Sequence, residues 1–226
     1  MEVQMTLDGP RLAPRSGKAR KLVVFLHGFG ADGNDLIDIG QQWQTLLPDA
    51  AFLSPHAPQP CAGAPYGRQW FGLTFRDPGE RWRGVEEARP ALDAFLDHEL
   101  AGHGLENRDL ALVGFSQGTM MALHTGLRRK TALAGIVGYS GVLVVPPGQA
   151  PATMEAQLGP RPPVLLLHGD QDPVIPPEAL GFSVQGLTAL DVPVKAHMSR
   201  GVGHGIDGTG LRLGGEFLAQ AFGAGS

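Results

Sequence analysis

Short apolar runs alternate along the chain with segments whose apolar residues recur at helical spacing. This alternation restricts the fold more than any other feature. Continuous apolar runs predict strands that are buried on both faces. Strands that alternate with helices predict a mainly parallel central sheet with helices on both faces, an α/β fold. The predicted strands cover residues 21–26, 50–54, 109–113, 133–139, 164–168 and 192–198, with a further N-terminal strand at 3–7. The predicted helices cover residues 35–46, 86–100, 117–129, 178–190 and 211–222.

Length and charge narrow the class of protein. A chain of 226 residues with 42% hydrophobic residues fits a single domain over residues 1–226, large enough for a substantial core. The net charge is −4, and the one basic cluster, residues 128–130, ends a predicted helix, where cations complement the helix dipole. The composition therefore predicts no nucleic-acid partner.

Features that the sequence lacks indicate the cellular compartment of the protein. Cys61 is the only cysteine, so neither an intrachain disulfide nor a cysteine-based metal cluster can form. The first residues lack the basic and apolar regions of a signal peptide. No apolar run approaches the roughly 18 residues of a membrane-spanning helix. We therefore predict a cytoplasmic protein with no integral membrane segment.

A Gly-x-Ser-x-Gly pentapeptide follows the predicted strand at 109–113 and opens the predicted helix at 117–129. Its residues are Gly114-Phe115-Ser116-Gln117-Gly118. A serine on a tight turn between a strand and a helix describes a nucleophile elbow, in which glycines let the chain pack closely on either side. The predicted nucleophile is Ser116, with the Gln117 N–H beside the reacting carbonyl.

A glycine-rich turn, residues 27–35, follows the first long strand. Such a turn leaves backbone N–H groups free, so an N–H at about Phe29 together with that of Gln117 would form a two-point oxyanion hole. The alternative is a phosphate-binding loop. The turn carries no P-loop pattern G-x-x-x-x-G-K-[ST], and this disfavours the alternative.

Candidate acid and base residues follow two later strands. Asp172 is the preferred carboxylate because Pro173 would fix its direction, whereas Asp170 fits a turn-forming role. A purely structural role for both aspartates is the alternative. His204, flanked by glycines, is the predicted general base. The order Ser116, Asp172, His204 is that expected of an α/β-hydrolase.

The other histidines point to no metal site. His27 and His168 lie at strand ends beside glycine, where a hydrogen-bonded structural role is favoured. No H-x-x-x-H or H-E-x-x-H pattern occurs, so the sequence predicts no metal and no cofactor.

These motifs together resemble the phospholipase/carboxylesterase family of α/β-hydrolases, which includes the acyl-protein thioesterases. The resemblance runs from about residue 21 to 222 and rests on residues 27–30, 114–118, 168–176 and the Gly203-His204 pair. It implies that Asp172 is the catalytic carboxylate and that the Phe29 and Gln117 N–H groups are the oxyanion donors. Phe29 and the Thr119-Met120-Met121 stretch are more similar to the bacterial carboxylesterase branch than to the thioesterases.

A long segment at about 55–82 has no clear period and is predicted to be a substrate-side loop insertion. Gln69-Trp70-Phe71 resembles the aromatic pair of the family's substrate loop. Trp70, Phe71, Leu73 and Phe75 are the predicted lining of an acyl pocket. The alternative is that they only anchor the loop to the body of the protein.

The preferred function is a serine carboxylic-ester hydrolase that acts through an acyl-enzyme on small or short-chain acyl esters. An acyl-protein thioesterase or lysophospholipase of the same fold is the second hypothesis. A non-catalytic binding protein on a hydrolase scaffold is the hypothesis from another class. Apolar loops near the site would also support a homodimer.

Overall fold

The computed structural model describes residues 7–61, 63–74 and 76–223, in which a central sheet lies between two layers of helices. The strands are β1 (Arg11–Leu12), β2 (Lys21–Leu26), β3 (Ala50–Leu53), β4 (Gln59–Pro60), β5 (Arg68–Gln69), β6 (Leu110–Phe115), β7 (Gly135–Tyr139), β8 (Val164–Gly169) and β9 (Val194–Ser199). The α-helices are α1 (Asn34–Trp43), α2 (Glu80–His103), α3 (Gln117–Gly126), α4 (Glu178–Ala189) and α5 (Gly208–Ala221). Short 3₁₀ helices cover Asn107–Asp109 and Pro151–Gln157.

Seven strands form the main sheet in the order β1-β3-β2-β6-β7-β8-β9. All neighbours pair in parallel except β1, which runs antiparallel to β3 at one edge. This confirms the predicted mainly parallel sheet. The sequence analysis missed β1 and placed an N-terminal strand at 3–7 instead. Residues 3–6 of that prediction lie outside the described residues, and Leu7 belongs to no strand.

Two hydrophobic cores lie on opposite faces of the sheet, as the alternation of side chains along β2 shows. Leu22, Val24 and Leu26 pack with residues of α2, α3 and α4. Val23 and Phe25 pack with residues of α1 and α5. Because both faces are covered by helices, the strands are apolar at consecutive positions. The predicted helices on both faces are thereby confirmed.

The segment at 55–82 contains more regular structure than the sequence analysis predicted. Strands β4 and β5 form a small antiparallel hairpin within it, and α2 already begins at Glu80. Gly84 explains the early start, because its Cα packs on the Phe71 ring so closely that a Cβ would lie 2.3 Å from it. The loop and the first turn of α2 therefore pack as one unit.

The described part of the chain contains no helix that is long and apolar enough to cross a membrane.

Candidate active site

Ser116 lies on a sharp turn between β6 and α3, with φ 54° and ψ −114°. This backbone conformation costs a non-glycine residue about 1–2 kcal/mol, so the surrounding structure must hold it. The Ser116 N–H donates to Tyr139 O at 2.9 Å. A Cβ on Gly118 would lie 1.8 Å from Leu26 O, and one on Gly114 would lie 2.4 Å from Gly118 O. Close packing therefore requires glycine two residues to either side of the serine.

His204 and Asp172 form a hydrogen-bonded pair beside this turn. His204 Nδ1 lies 2.7 Å from Asp172 Oδ2. The other carboxylate oxygen accepts from the N–H groups of Val174 and Ile175 at 2.8 and 2.9 Å. Burial by itself would raise the pKa of Asp172, but the hydrogen bonds from His204 and the two backbone N–H groups outweigh it, so this pKa lies below its ordinary value. The carboxylate is therefore charged and oriented at neutral pH.

The two competing aspartates occupy different places. Asp172 is buried against His204, whereas Asp170 is exposed and accepts from the Gly201 N–H at 2.7 Å. His168, which was predicted to be structural, is buried with Nε2 2.9 Å from Ile175 O and 3.3 Å from Asp172 Oδ2. It supports the loop that carries Asp172, and the structure brings Asp172 rather than Asp170 to the histidine.

Ser116 and His204 line one cavity of about 250 Å³ at the carboxyl ends of the strands. The ring of Phe115 packs against the His204 ring, with centroids 4.9 Å apart. The cavity wall is mostly apolar, which limits the access of water to the two polar side chains. Its lining residues are Phe29, Leu73, Arg81, Ser116, Gln117, Met120, Val174, Ile175 and His204.

The backbone N–H groups of Phe29 and Gln117, both residues of the cavity lining, have no acceptor within the described residues. The Gln117 N–H is free because the first turn of a helix has no preceding carbonyls to bind. The turn around Phe29 is held by its neighbour, since the Gly30 N–H donates to Arg68 O at 2.9 Å. Both N–H groups therefore belong to residues of the cavity wall.

His27 supports the same turn from below. Its Nδ1 lies 2.8 Å from Gly28 O, and its Nε2 accepts from the Ala57 N–H at 3.0 Å. Burial lowers the pKa of His27, so the ring is neutral with the proton on Nδ1. The hydrogen-bonded structural role predicted for His27 agrees with this geometry.

The four residues predicted to line an acyl pocket lie in different places. Leu73 lines the cavity. Trp70 and Phe71 are 0% and 1% exposed and lie in the core, with Trp70 Nε1 donating to His27 O at 3.0 Å. The anchoring alternative therefore describes these two aromatic residues. Phe75 lies outside the described residues.

The side chain of Gln117 has a role that the sequence analysis missed. Its Oε1 accepts from the Trp70 N–H at 2.9 Å, and its Nε2 donates to Phe71 O at 2.8 Å. The buried amide thus fastens the loop to the residue next to Ser116. A long polar residue that begins a mostly apolar helix is the signal that could have indicated such a role.

The sequence analysis also missed four lining residues, Arg81, Met120, Val174 and Ile175. Arg81 was missed because the start of α2 was predicted at residue 86. Within residues 7–61, 63–74 and 76–223, no group of three or more His, Cys, Asp or Glu side chains could hold a metal ion.

Comparison with known proteins identifies the family. The phospholipase/carboxylesterase family model matches residues 7–221. The crystal structure of esterase PE8 is 44% identical, covers 96% of this chain and 100% of that one, and superposes with a TM-score of 0.90. Esterase YpfH of Escherichia coli K12 is 26% identical over 196 residues, which cover 86% of this chain and 80% of the relative.

A fungal relative is named for a different activity. Acyl-protein thioesterase 1 of Gibberella zeae is 26% identical over 207 residues, covering 86% of this chain and 88% of the relative. Esterases and thioesterases are both hydrolases, and the matched family and fold are those predicted from the motifs. The chain therefore is a hydrolase with the α/β-hydrolase fold and belongs to the phospholipase/carboxylesterase family.

Proposed function

We propose that the protein is a serine carboxylic-ester hydrolase that acts on small or short-chain acyl esters through Ser116, His204 and Asp172. The observation that carries this proposal is the 2.7 Å contact of His204 Nδ1 with a buried, charged Asp172, in a cavity that His204 shares with Ser116. With Nδ1 donating to the carboxylate, the lone pair on Nε2 is available to accept a proton.

The reaction proceeds in two halves. His204 removes the Ser116 proton, Ser116 Oγ attacks the ester carbonyl, and the Phe29 and Gln117 N–H groups bind the oxyanion. The intermediate collapses as His204 gives its proton to the leaving alkoxide, which departs as the alcohol. Water then attacks the acyl-enzyme in the same way and releases the acid, so one water is consumed per ester.

The size of the cavity supports short acyl groups. Its volume of about 250 Å³ lies below the 300–1,000 Å³ typical of pockets for drug-sized ligands. Leu73, Met120 and Ile175 supply apolar walls that suit a short hydrocarbon chain. A small-molecule ester is therefore the proposed substrate class.

The test is fluorophosphonate labelling with peptide mass analysis, run beside p-nitrophenyl esters from acetate to palmitate. We expect one adduct, on Ser116, and turnover that peaks at short chains. Ser116→Ala should abolish both while the circular dichroism spectrum stays that of the wild type. An adduct on another residue, or a folded Ser116→Ala variant that retains more than a few per cent of the activity, would refute the assignment of the nucleophile.

Thioester hydrolysis is the second candidate function. The specific observation in its favour is the match to acyl-protein thioesterase 1 from two fungi, Gibberella zeae and Neurospora crassa. The same Ser116 chemistry would cleave a thioester. Turnover that peaks at long acyl chains, or a preference for thioesters over matched esters, would favour a thioesterase or lysophospholipase. A folded protein with neither adduct nor turnover would favour the non-catalytic binding hypothesis.

The single domain over residues 1–226, the cytoplasmic location and the homodimer stay predictions.

A further inference from the structure

Arg81 is the one permanently charged side chain among the described residues that line the active-site cavity. It is partly buried and is the second residue of α2. Its neighbours in the wall include the apolar side chains of Leu73, Met120 and Ile175. A guanidinium in such surroundings is screened less by water than one on the open surface.

Arg81 has no hydrogen bond or ion pair with any described residue, whereas the arginine two residues later does. Arg83 forms an ion pair with Asp77. The carboxylate next to Arg81 in sequence, that of Glu80, accepts from the Thr74 N–H and hydroxyl at 2.8 and 2.7 Å. Arg83 thus has a carboxylate partner, whereas Arg81 forms no ion pair with any carboxylate of the described residues.

Helix stability does not explain this arginine. A cation in the first turn of a helix is unfavourable, because the N-terminal end of the helix dipole is itself positive. The same dipole adds to the positive potential of Arg81 and so favours an anion at this wall of the cavity.

We propose that Arg81 binds a carboxylate of the substrate, so that the ester hydrolysed at Ser116 carries an anionic group away from its reacting carbonyl. This inference rests on the proposed esterase function and names its substrate class. A guanidinium binds a carboxylate through two parallel N–H bonds, which orients the ester as well as holding it. The chemical step is unchanged, because the carboxylate is neither formed nor consumed.

The test compares the mono-p-nitrophenyl ester of adipic acid with p-nitrophenyl hexanoate, which has an acyl chain of the same length without the charge. The measured quantity is kcat/KM for the charged adipate ester divided by kcat/KM for the neutral hexanoate ester, each corrected for spontaneous hydrolysis. We expect Arg81→Gln to lower this ratio about 10- to 100-fold, as loss of a hydrogen bond to a charged group does. Most of the change should be in KM, because the remote carboxylate is bound equally in the ground and transition states.

Two further variants control for charge and folding. Arg81→Lys keeps the charge but not the paired N–H groups, so its ratio should lie between those of the wild type and Arg81→Gln. Arg212→Gln removes a charge from α5 on the opposite face of the sheet, where Arg212 pairs with Glu216 at 2.8 Å. Its ratio should equal that of the wild type.

A second substrate pair places the carboxylate on the alcohol side, 4-acetoxybutanoate against butyl acetate. Dependence on Arg81 in either pair supports the inference and shows which side of the ester carries the anion. If the ratio is the same in wild type and Arg81→Gln for both pairs, while Ser116 is labelled and the neutral esters are cleaved, Arg81 does not bind substrate and the esterase proposal stands. If no ester is cleaved and Ser116 is not labelled, the esterase proposal itself fails.

Discussion

The amide side chain of Gln117 should stabilise the fold as well as the loop over the site. Gln117→Ala removes both hydrogen bonds of the amide, those to the Trp70 N–H and the Phe71 carbonyl. All three residues are buried, so both backbone groups would be left without a partner. The backbone N–H of residue 117, the proposed oxyanion donor, would remain.

The magnitude follows from the two orphaned groups. A buried donor or acceptor that loses its partner costs about 1–3 kcal/mol, so the two together should cost about 2–6 kcal/mol of unfolding free energy. This is a large part of the roughly 5–15 kcal/mol by which domains are stable. At an m-value of about 2 kcal/mol/M the urea midpoint should fall by about 1–3 M.

Urea unfolding followed by circular dichroism measures this change, and Gln69→Ala is the matched control. Gln69 donates to Gln59 at 3.0 Å in the same loop, but this pair is exposed. Loss of an exposed pair should change the unfolding free energy by no more than about 0.5 kcal/mol. Since the N–H of residue 117, the proposed oxyanion donor, remains, kcat/KM for p-nitrophenyl acetate should fall by less than about 10-fold in Gln117→Ala.

An equal urea midpoint for Gln117→Ala and the wild type would refute this reasoning. It would mean that the amide does not hold the loop in solution. A fall in kcat/KM of several hundred-fold with unchanged stability would instead assign the side chain to the chemical step.

Three other predictions concern the pair beside the serine, the elbow and a buried histidine. Asp172→Asn should lower kcat for a p-nitrophenyl ester by about 10³–10⁴-fold, because it no longer stabilises the charged imidazole. Ser116→Gly should be about 1–2 kcal/mol more stable to urea than Ser116→Ala, since glycine adopts the φ of 54° without strain, and both should be inactive. The pKa of His124 is lowered to about 2, mainly by burial and to a smaller extent by the positive charges of Arg128 and Arg89, whereas it is about 6.5 in the unfolded chain. The contribution of the neutral His124 to stability is therefore complete above about pH 6.5. Below that pH the unfolding free energy falls by up to about 1.4 kcal/mol per pH unit, because only the unfolded chain takes up the proton. His124→Gln should remove this pH dependence of the unfolding free energy, measured by urea unfolding at pH 7 and 5.

Each of these has an outcome that contradicts it. Wild-type turnover in Asp172→Asn would separate the carboxylate from the reaction, and equal midpoints for the two Ser116 variants would mean that the elbow is unstrained. For His124 the competing group is Glu86, whose Oε1 lies 2.9 Å from Nε2. Glu86 is 40% exposed, so we expect burial and the two arginines to outweigh it. An identical pH slope in His124→Gln and wild type would show that Glu86 prevails.

The long strands and helices could be predicted because their patterns involve only residues close together in the chain. The six residues of β2, Lys21 followed by five apolar residues, were predicted with both ends correct, since a continuous apolar run bounded by polar residues has one interpretation in an α/β chain. The start of α2 was predicted too late, because the first turn carries Arg81, Arg83 and Glu80 and is held by Phe71 of the loop instead of by its own apolar period. Residues 11–12 are too few to show any period.

The candidate site divides in the same way. The glycines around Ser116 and the position of each candidate residue just after a strand are readable from the chain, since parallel strands end at one edge of the sheet. The choice between Asp170 and Asp172 needed the structure, because both follow β8 within four residues and only the fold of the loop directs one of them to His204.

By itself the sequence determined the alternating α/β architecture, the family and the tight turn at Ser116, because each depends on residues close together in the chain. The tertiary structure alone decided that the Gln117 side chain binds Trp70, 47 residues away, that Trp70 and Phe71 lie in the core, and that Arg81 reaches the cavity. These contacts join segments that are far apart in the chain, so the spacing of neighbouring residues gives no indication of them. They form only when the loop, the first turn of α2 and the elbow pack together.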